Sequence, residues 1–209
     1  MSSGSIVASA LKTCPTYVSQ CSHSDSEAVI DRFRALTETR PAPFNSGTLR
    51  GPNFAFEWPI PPMEACLLPG GIELPEDEVG FNIKYYVDRA ISELFDRNMF
   101  FFWGLGFHKH GVFRGPYQHE VRWWVKRDLI LSPMVFMHYT KNFIIITYDQ
   151  FHFTLFGGEE KAIRQFERVF GGREALKDKF EAWIDGDGVL IGADARAWAK
   201  RYLMSWAFP

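Results

Sequence analysis

The chain has 209 residues, a formal net charge of −2 at pH 7, and 20 Phe beside 7 Trp. That length suits one sizeable domain or two small ones, able to bury an aromatic-rich core without disulfides or metal. The near-neutral balance excludes attachment to nucleic acid by overall charge, though not by a local basic patch.

Residues 1–28 are rich in Ser and small side chains, and this composition predicts a flexible N-terminal arm ahead of a single domain over 29–209. The opening MSSGSIVASALKTCP lacks the basic start and apolar run of a secretory signal. No apolar stretch approaches the roughly 20 residues that cross a bilayer. A cytosolic or nuclear protein without a membrane role is expected. Cys14, Cys21 and Cys66 are an odd, sparse set, which predicts free thiols. Cys14 and Cys21 are poorly spaced for a zinc cluster with His23.

Val29, Ile30, Phe33 and Leu36 share one face of a helix over Glu27–Thr37. RPAPFNSGTLRGP follows as turn-rich chain, then NFAFEW as a strand ended by Pro59, Pro61 and Pro62. A second helix carries Pro75 at its first position and Glu76, Asp77 and Glu78 at the positive end of its dipole. Its apolar stripe is Val79, Ile83, Tyr86, Val87, Ala90, Ile91 and Leu94. From Met99 to Phe156 the pattern predicts successive strands with short, antiparallel connections. In HEVRWWVKR, Val121, Trp123 and Val125 alternate with Arg122, Trp124 and Lys126, which reads as a two-faced strand. Gly157 and Gly158 end the sheet, and helices follow over EEKAIRQFERVF and REALKDKFEAWI. DGDG is a turn, VLIG a short strand, and Asp194 the cap of a final helix. The fold class expected is α+β, a mainly antiparallel sheet with packed helices.

Several side-chain groups carry candidate chemistry. His108 and His110 form H-x-H, which in a strand points both rings to one face. With His119 brought alongside they would hold a zinc or iron ion, as in a small metal-dependent enzyme. A solvated histidine patch is the competing reading. His138 and Thr140, and His152 and Thr154, both read H-x-T. Paired H-x-T strands serve phosphoesterases, but here they are close enough to be one hairpin. Arg114, Arg122, Trp124, Lys126 and Arg127 form a basic-aromatic run over 114–127 suited to stacking on RNA, or to an ordinary exposed sheet face. The twelfth position from Asp185 is Arg196, which excludes an EF-hand. No phosphate-cradling loop or nucleophile elbow occurs.

Several of these pieces stand in an order that resembles the adenovirus early region 4 34-kDa family: LRGPNFAFEWPIPPM, FWGLGFHKH, HEVRWW and VFMHYTKNFIIITYDQFHF, spanning about residues 48–157. The resemblance implies a nuclear early regulator, also present in cytoplasm, that acts as a non-enzymatic adaptor. It implies recruitment of a host cullin–elongin ubiquitin ligase together with the viral early-region 1B protein, and support of viral mRNA export. It implies zinc near His108 and His110, although Gly106 and Lys109 stand in the cysteine-like surroundings. The leucine and cysteine of LKTC have the wrong interval for an elongin-binding box. The family's arginine-faced helix has a loose counterpart in residues 159–181. Contact with partners is expected through Trp58, Trp103, Trp124, Arg164 and Arg168.

Overall fold

The computed structural model describes residues 8–41, 55–70, 83–105, 111–129, 133–148, 153–186, 196–197, 199–204 and 207–208. Its centre is a seven-stranded antiparallel sheet, and the fold is α+β. The strands are β1 (Ser19–Gln20), β4 (Glu64–Pro69), β5 (Met99–Gly104), β6 (Phe113–Pro116), β7 (Met134–His138), β8 (Phe143–Tyr148) and β9 (Phe153–Gly158), in spatial order β1-β6-β5-β7-β8-β9-β4. A separate ribbon pairs β2 (Thr37–Pro41) with β3 (Ala55–Pro59).

The helices are α1 (His23–Leu36), α2 (Ile83–Leu94), α3 (His119–Trp124), α4 (Glu160–Val169) and α5 (Arg173–Asp185). Ser22 starts α1 by accepting a hydrogen bond from the Asp25 N–H at 3.1 Å. Val29, Ile30 and Phe33 are its buried face. In α2, Val87, Ala90 and Ile91 are buried, as their spacing requires.

Strand alternation sorts the core into two faces. On one, Phe156 stacks on Phe166 of α4 at 4.5 Å between ring centroids, and Phe102 packs on Phe113, Phe136 and Trp124. On the other, Phe33 of α1 meets Trp103 edge-on at 5.2 Å. The ribbon lies on this second face too. The Tyr148 hydroxyl donates to the Glu57 carbonyl and accepts from its N–H, both at 3.0 Å. Gly157 leaves room for Pro59, since a Cβ there would stand 2.6 Å from Pro59 Cγ.

Three expectations differ from the structure. HEVRWW is not a strand; it is α3, continued by a π-helical turn over Val125–Leu129. Helical spacing buries Val121, Arg122, Trp124 and Val125 together and leaves Trp123 outside. The segment expected to be a flexible arm is built into the fold from residue 8. Ala10 and Val18 are buried, β1 pairs with β6, and Trp124 Nε1–H donates to the Ala10 carbonyl at 3.1 Å. The turn-rich passage begins later than expected, because Thr37–Pro41 is a strand. Pro75 to Val79, VLIG and Asp194 lie outside the described residues. No described helix is long and apolar enough to cross a membrane.

Candidate functional site

The basic-aromatic run does not form a continuous binding face. Arg122 is 2% exposed and gives Asp88 two hydrogen bonds, at 2.6 and 3.2 Å. Its guanidinium lies 4.7 Å above the Tyr117 ring. Burial pushes the Tyr117 phenol up to about 12, against the pull of the neighbouring Arg122 guanidinium. Arg127 pairs with Asp128. Of the five residues, Arg114 alone reaches the groove described next.

Of the aromatic contact candidates, Trp58, Trp103 and Trp124 are all buried and fill the core. Arg164 is held near Glu167, Glu64 and Glu160 at 3.3, 3.8 and 3.9 Å. The buried Glu167 also receives Arg173 at 2.7 Å, so these charges clamp α4, α5 and β4 together. Arg168 is exposed near the end of α4. Of the histidines, His119 is exposed at the start of α3 beside exposed Glu120, while His108, His110 and His152 lie outside the described residues. Among the described residues no group of three or more His, Cys, Asp or Glu side chains is placed to hold a metal ion. The three cysteines are free thiols, and burial raises the pKa of each.

His138 has a structural place. It is 4% exposed, stacked on Phe95 at 4.1 Å and edge-on to Phe100. Its Nδ1 accepts the N–H groups of Thr140 and Lys141 at 3.2 and 3.0 Å, so the proton sits on Nε2, 3.1 Å from the Arg97 carbonyl. Burial lowers its pKa, as do Arg32 and Lys141, against the pull of the Arg97 carbonyl. The ring is held neutral and shapes the β7–β8 turn. Arg32 of α1 binds the same turn from outside, donating to the carbonyls of His138, Tyr139 and Lys141.

That braced turn borders a concavity of the described surface. Two adjoining cavities of about 730 and 510 Å³ share Ser19, Arg114, Tyr139 and Thr140. The larger adds Tyr17, Arg97 and Lys141, and the smaller adds Phe101 and the side of α1 around Arg32. Sheet register explains the grouping. Ser19 pairs with Arg114 and Arg114 with Phe101, so the three stand in one row across β1, β6 and β5. Phe101 touches Tyr139 at 5.3 Å between centroids.

Two further exposed apolar side chains lie on neighbouring elements elsewhere. Trp123, 45% exposed, stands on α3, and Leu11, 40% exposed, on the 3-10 turn Leu11–Thr13. The two elements are tied by the Trp124–Ala10 bond and by Thr13 Oγ1 donating to Asp128 at 2.5 Å. Sequence reasoning missed Tyr17, Tyr139, Leu11 and Trp123 as surface groups. Trp123 was open to discovery, as the position a helical period leaves outside between buried neighbours.

Comparison with protein-family models, with curated proteins and with solved structures finds no match to this chain.

Proposed function

We propose that this protein is a non-enzymatic adaptor with two contact surfaces on one folded body. The observation that carries the reading is how exposed apolar area is distributed. The exposed large hydrophobic residues among the described ones are Leu11, Tyr17, Trp123 and Tyr139. They divide into two places: the groove beside the β7–β8 turn, and the patch on α3 and the N-terminal turn. Tyr and Trp on a rigid backbone are the residues that dominate binding hot spots. An adaptor requires two such places. A catalyst requires one site in which reacting groups converge.

The ordered motifs of residues 48–157 support a more specific version. In it the chain works in the host nucleus and cytoplasm as an early viral regulator, joining host cullin–elongin components to the viral early-region 1B protein. The Trp123 and Leu11 patch is the protein-facing side in this reading, with a ring and an aliphatic anchor beside Lys126 and Arg127.

The test is affinity capture of the tagged chain from cells that also express the early-region 1B protein. Wild type is expected to recover elongin and cullin subunits, and Trp123→Ala to recover at least tenfold less at unchanged thermal stability. Equal recovery by both proteins contradicts the placement of the patch. Recovery of neither ligase nor viral partner by wild type contradicts the adaptor reading.

A further inference from the structure

Three cations gather in the groove without a carboxylate partner among the described residues. Arg122, Arg127, Arg164 and Arg173 are each paired with a carboxylate. Among the described residues, the side chains of Arg97, Arg114 and Lys141 form no ion pair, although all three are exposed and line one cavity. Among the described residues, Asp96 is the one acid lining that cavity, and Asp25 lines its neighbour. Three rings, Tyr17, Tyr139 and half-buried Phe101, line the same two cavities. Phe101 and Tyr139 are anchored by backbone that cannot easily move. Phe101 is in the centre of a paired strand, and the Tyr139 carbonyl is held by Arg32 while its N–H donates to the Met99 carbonyl at 3.0 Å.

Unpaired cations beside preorganised ring faces on an open sheet are what a single-stranded nucleic acid requires. Phosphates take the cations, and unpaired bases stack on the rings. A duplex offers its phosphates but hides its base faces. An acidic peptide satisfies the cations but gives the three rings no matching role. We propose that the groove over β1, β6, β5 and the β7–β8 turn binds single-stranded RNA. Tyr139 and Phe101 supply stacking faces, Tyr17 closes the far side, and Arg97, Arg114 and Lys141 neutralise phosphates. The proposal rests on reading this groove as a contact surface and names the ligand it takes.

The experiment is fluorescence anisotropy with the purified full chain and a labelled 12-nucleotide oligouridylate, at several salt concentrations. Tyr139→Ala is expected to weaken binding on the order of tenfold, the size of one lost stacking contact. Tyr139→Phe, which keeps the ring, should bind within about twofold of wild type. Arg114→Gln should weaken binding and reduce the salt slope by about 0.7, the share of one phosphate contact on a single strand. Tyr17→Ala provides a second ring variant on a different element if Tyr139→Ala loosens the turn. Arg168→Gln, on α4, should change nothing. The proposal is overturned by any of four results: no oligouridylate binding, equal loss in Arg168→Gln and Arg114→Gln, tighter binding of a polyglutamate peptide, or tighter binding of duplex RNA. In each of these cases partner capture through Trp123 would remain intact, and the adaptor reading would stand apart from the failed ligand.

Discussion

His138 and Arg122 show how buried polar groups fix this fold residue by residue. His138 spends both ring nitrogens on backbone, and its folded-state pKa lies below the ordinary 6.5 because burial disfavours the charged ring. Between that lowered value and 6.5 the unfolded chain binds the extra proton, so the contribution of His138 to stability falls as pH drops through this window. It is fully present above 6.5. His138→Phe should keep the stacking, lose about 1–3 kcal/mol from orphaned backbone groups, and flatten the stability difference between pH 7 and 5. Urea denaturation of both proteins across that range checks it, and a parallel pH slope in the variant would contradict it. Arg122 makes a different point. Removing its partner by Asp88→Ala leaves a buried guanidinium and should cost about 2 kcal/mol, toward the low end because Asp88 is one-third exposed. Arg122→Met, which removes the charge and keeps the length, should cost less in the same denaturation experiment.

At the scale of elements, helices with one clean apolar stripe were legible. Val29, Ile30 and Phe33 in α1, and Val87, Ala90 and Ile91 in α2, are buried as their spacing demands. The strands β5 and β7 were legible too, as apolar runs, whereas β8 and β9 read as one continuous run, NFIIITYDQFHFTLF. The segment 119–124 was not legible. Every second residue from Val121 is apolar, so a two-residue period fits as well as a helical one, and nothing local breaks the tie. Asp88, 34 residues away, is what makes a buried Arg122 tolerable. The N-terminal segment was illegible for a similar reason. Its two anchors, Ala10 and Val18, have no periodic neighbours, and the Trp124 side chain that holds Ala10 is 114 positions away. Trp124→Phe should keep the core filled but remove that hydrogen bond. Faster amide exchange confined to residues 8–13 and their contact on α3 is the expected outcome. The second face of the sheet depends on close approach at Gly157. Gly157→Ala would put its new carbon 2.6 Å from Pro59 and 3.1 Å from Ile144, and should cost about 1–3 kcal/mol by prying the ribbon from the sheet. Chemical denaturation measures that loss, and an unchanged midpoint would show that the ribbon shifts freely.

For the whole molecule, the aromatic richness of the sequence foretold a ring-built core, but it also misdirected the choice of contact residues. Large rings are the best core fillers, so Trp58, Trp103 and Trp124 went inside. The surface retained Tyr17, Tyr139 and Trp123, whose exposure depends on where distant elements end. Position alone could not reveal that the β7–β8 turn, α1 and β1 meet around one groove. The other expected contact residue, Arg164, belongs with Arg173, Glu64 and Glu167 to the clamp that joins α4 and α5 to the sheet edge at β4. Glu167→Ala would leave half-buried Arg173 with only the more distant Glu64 carboxylate and is expected to cost about 2 kcal/mol. Because the clamp stands at the β4 edge of the sheet and the groove at the β1 edge, Glu167→Ala should weaken partner capture only as far as it lowers the folded fraction.

The most direct measurement compares what Trp123→Ala and Tyr139→Ala each recover from cells, protein and RNA counted separately, against wild type. Two independent surfaces predict a crossed result: the first variant loses protein partners and keeps RNA, and the second loses RNA and keeps protein. Loss of the same material by both variants, with both still folded, would mean a single shared surface and would contradict the account.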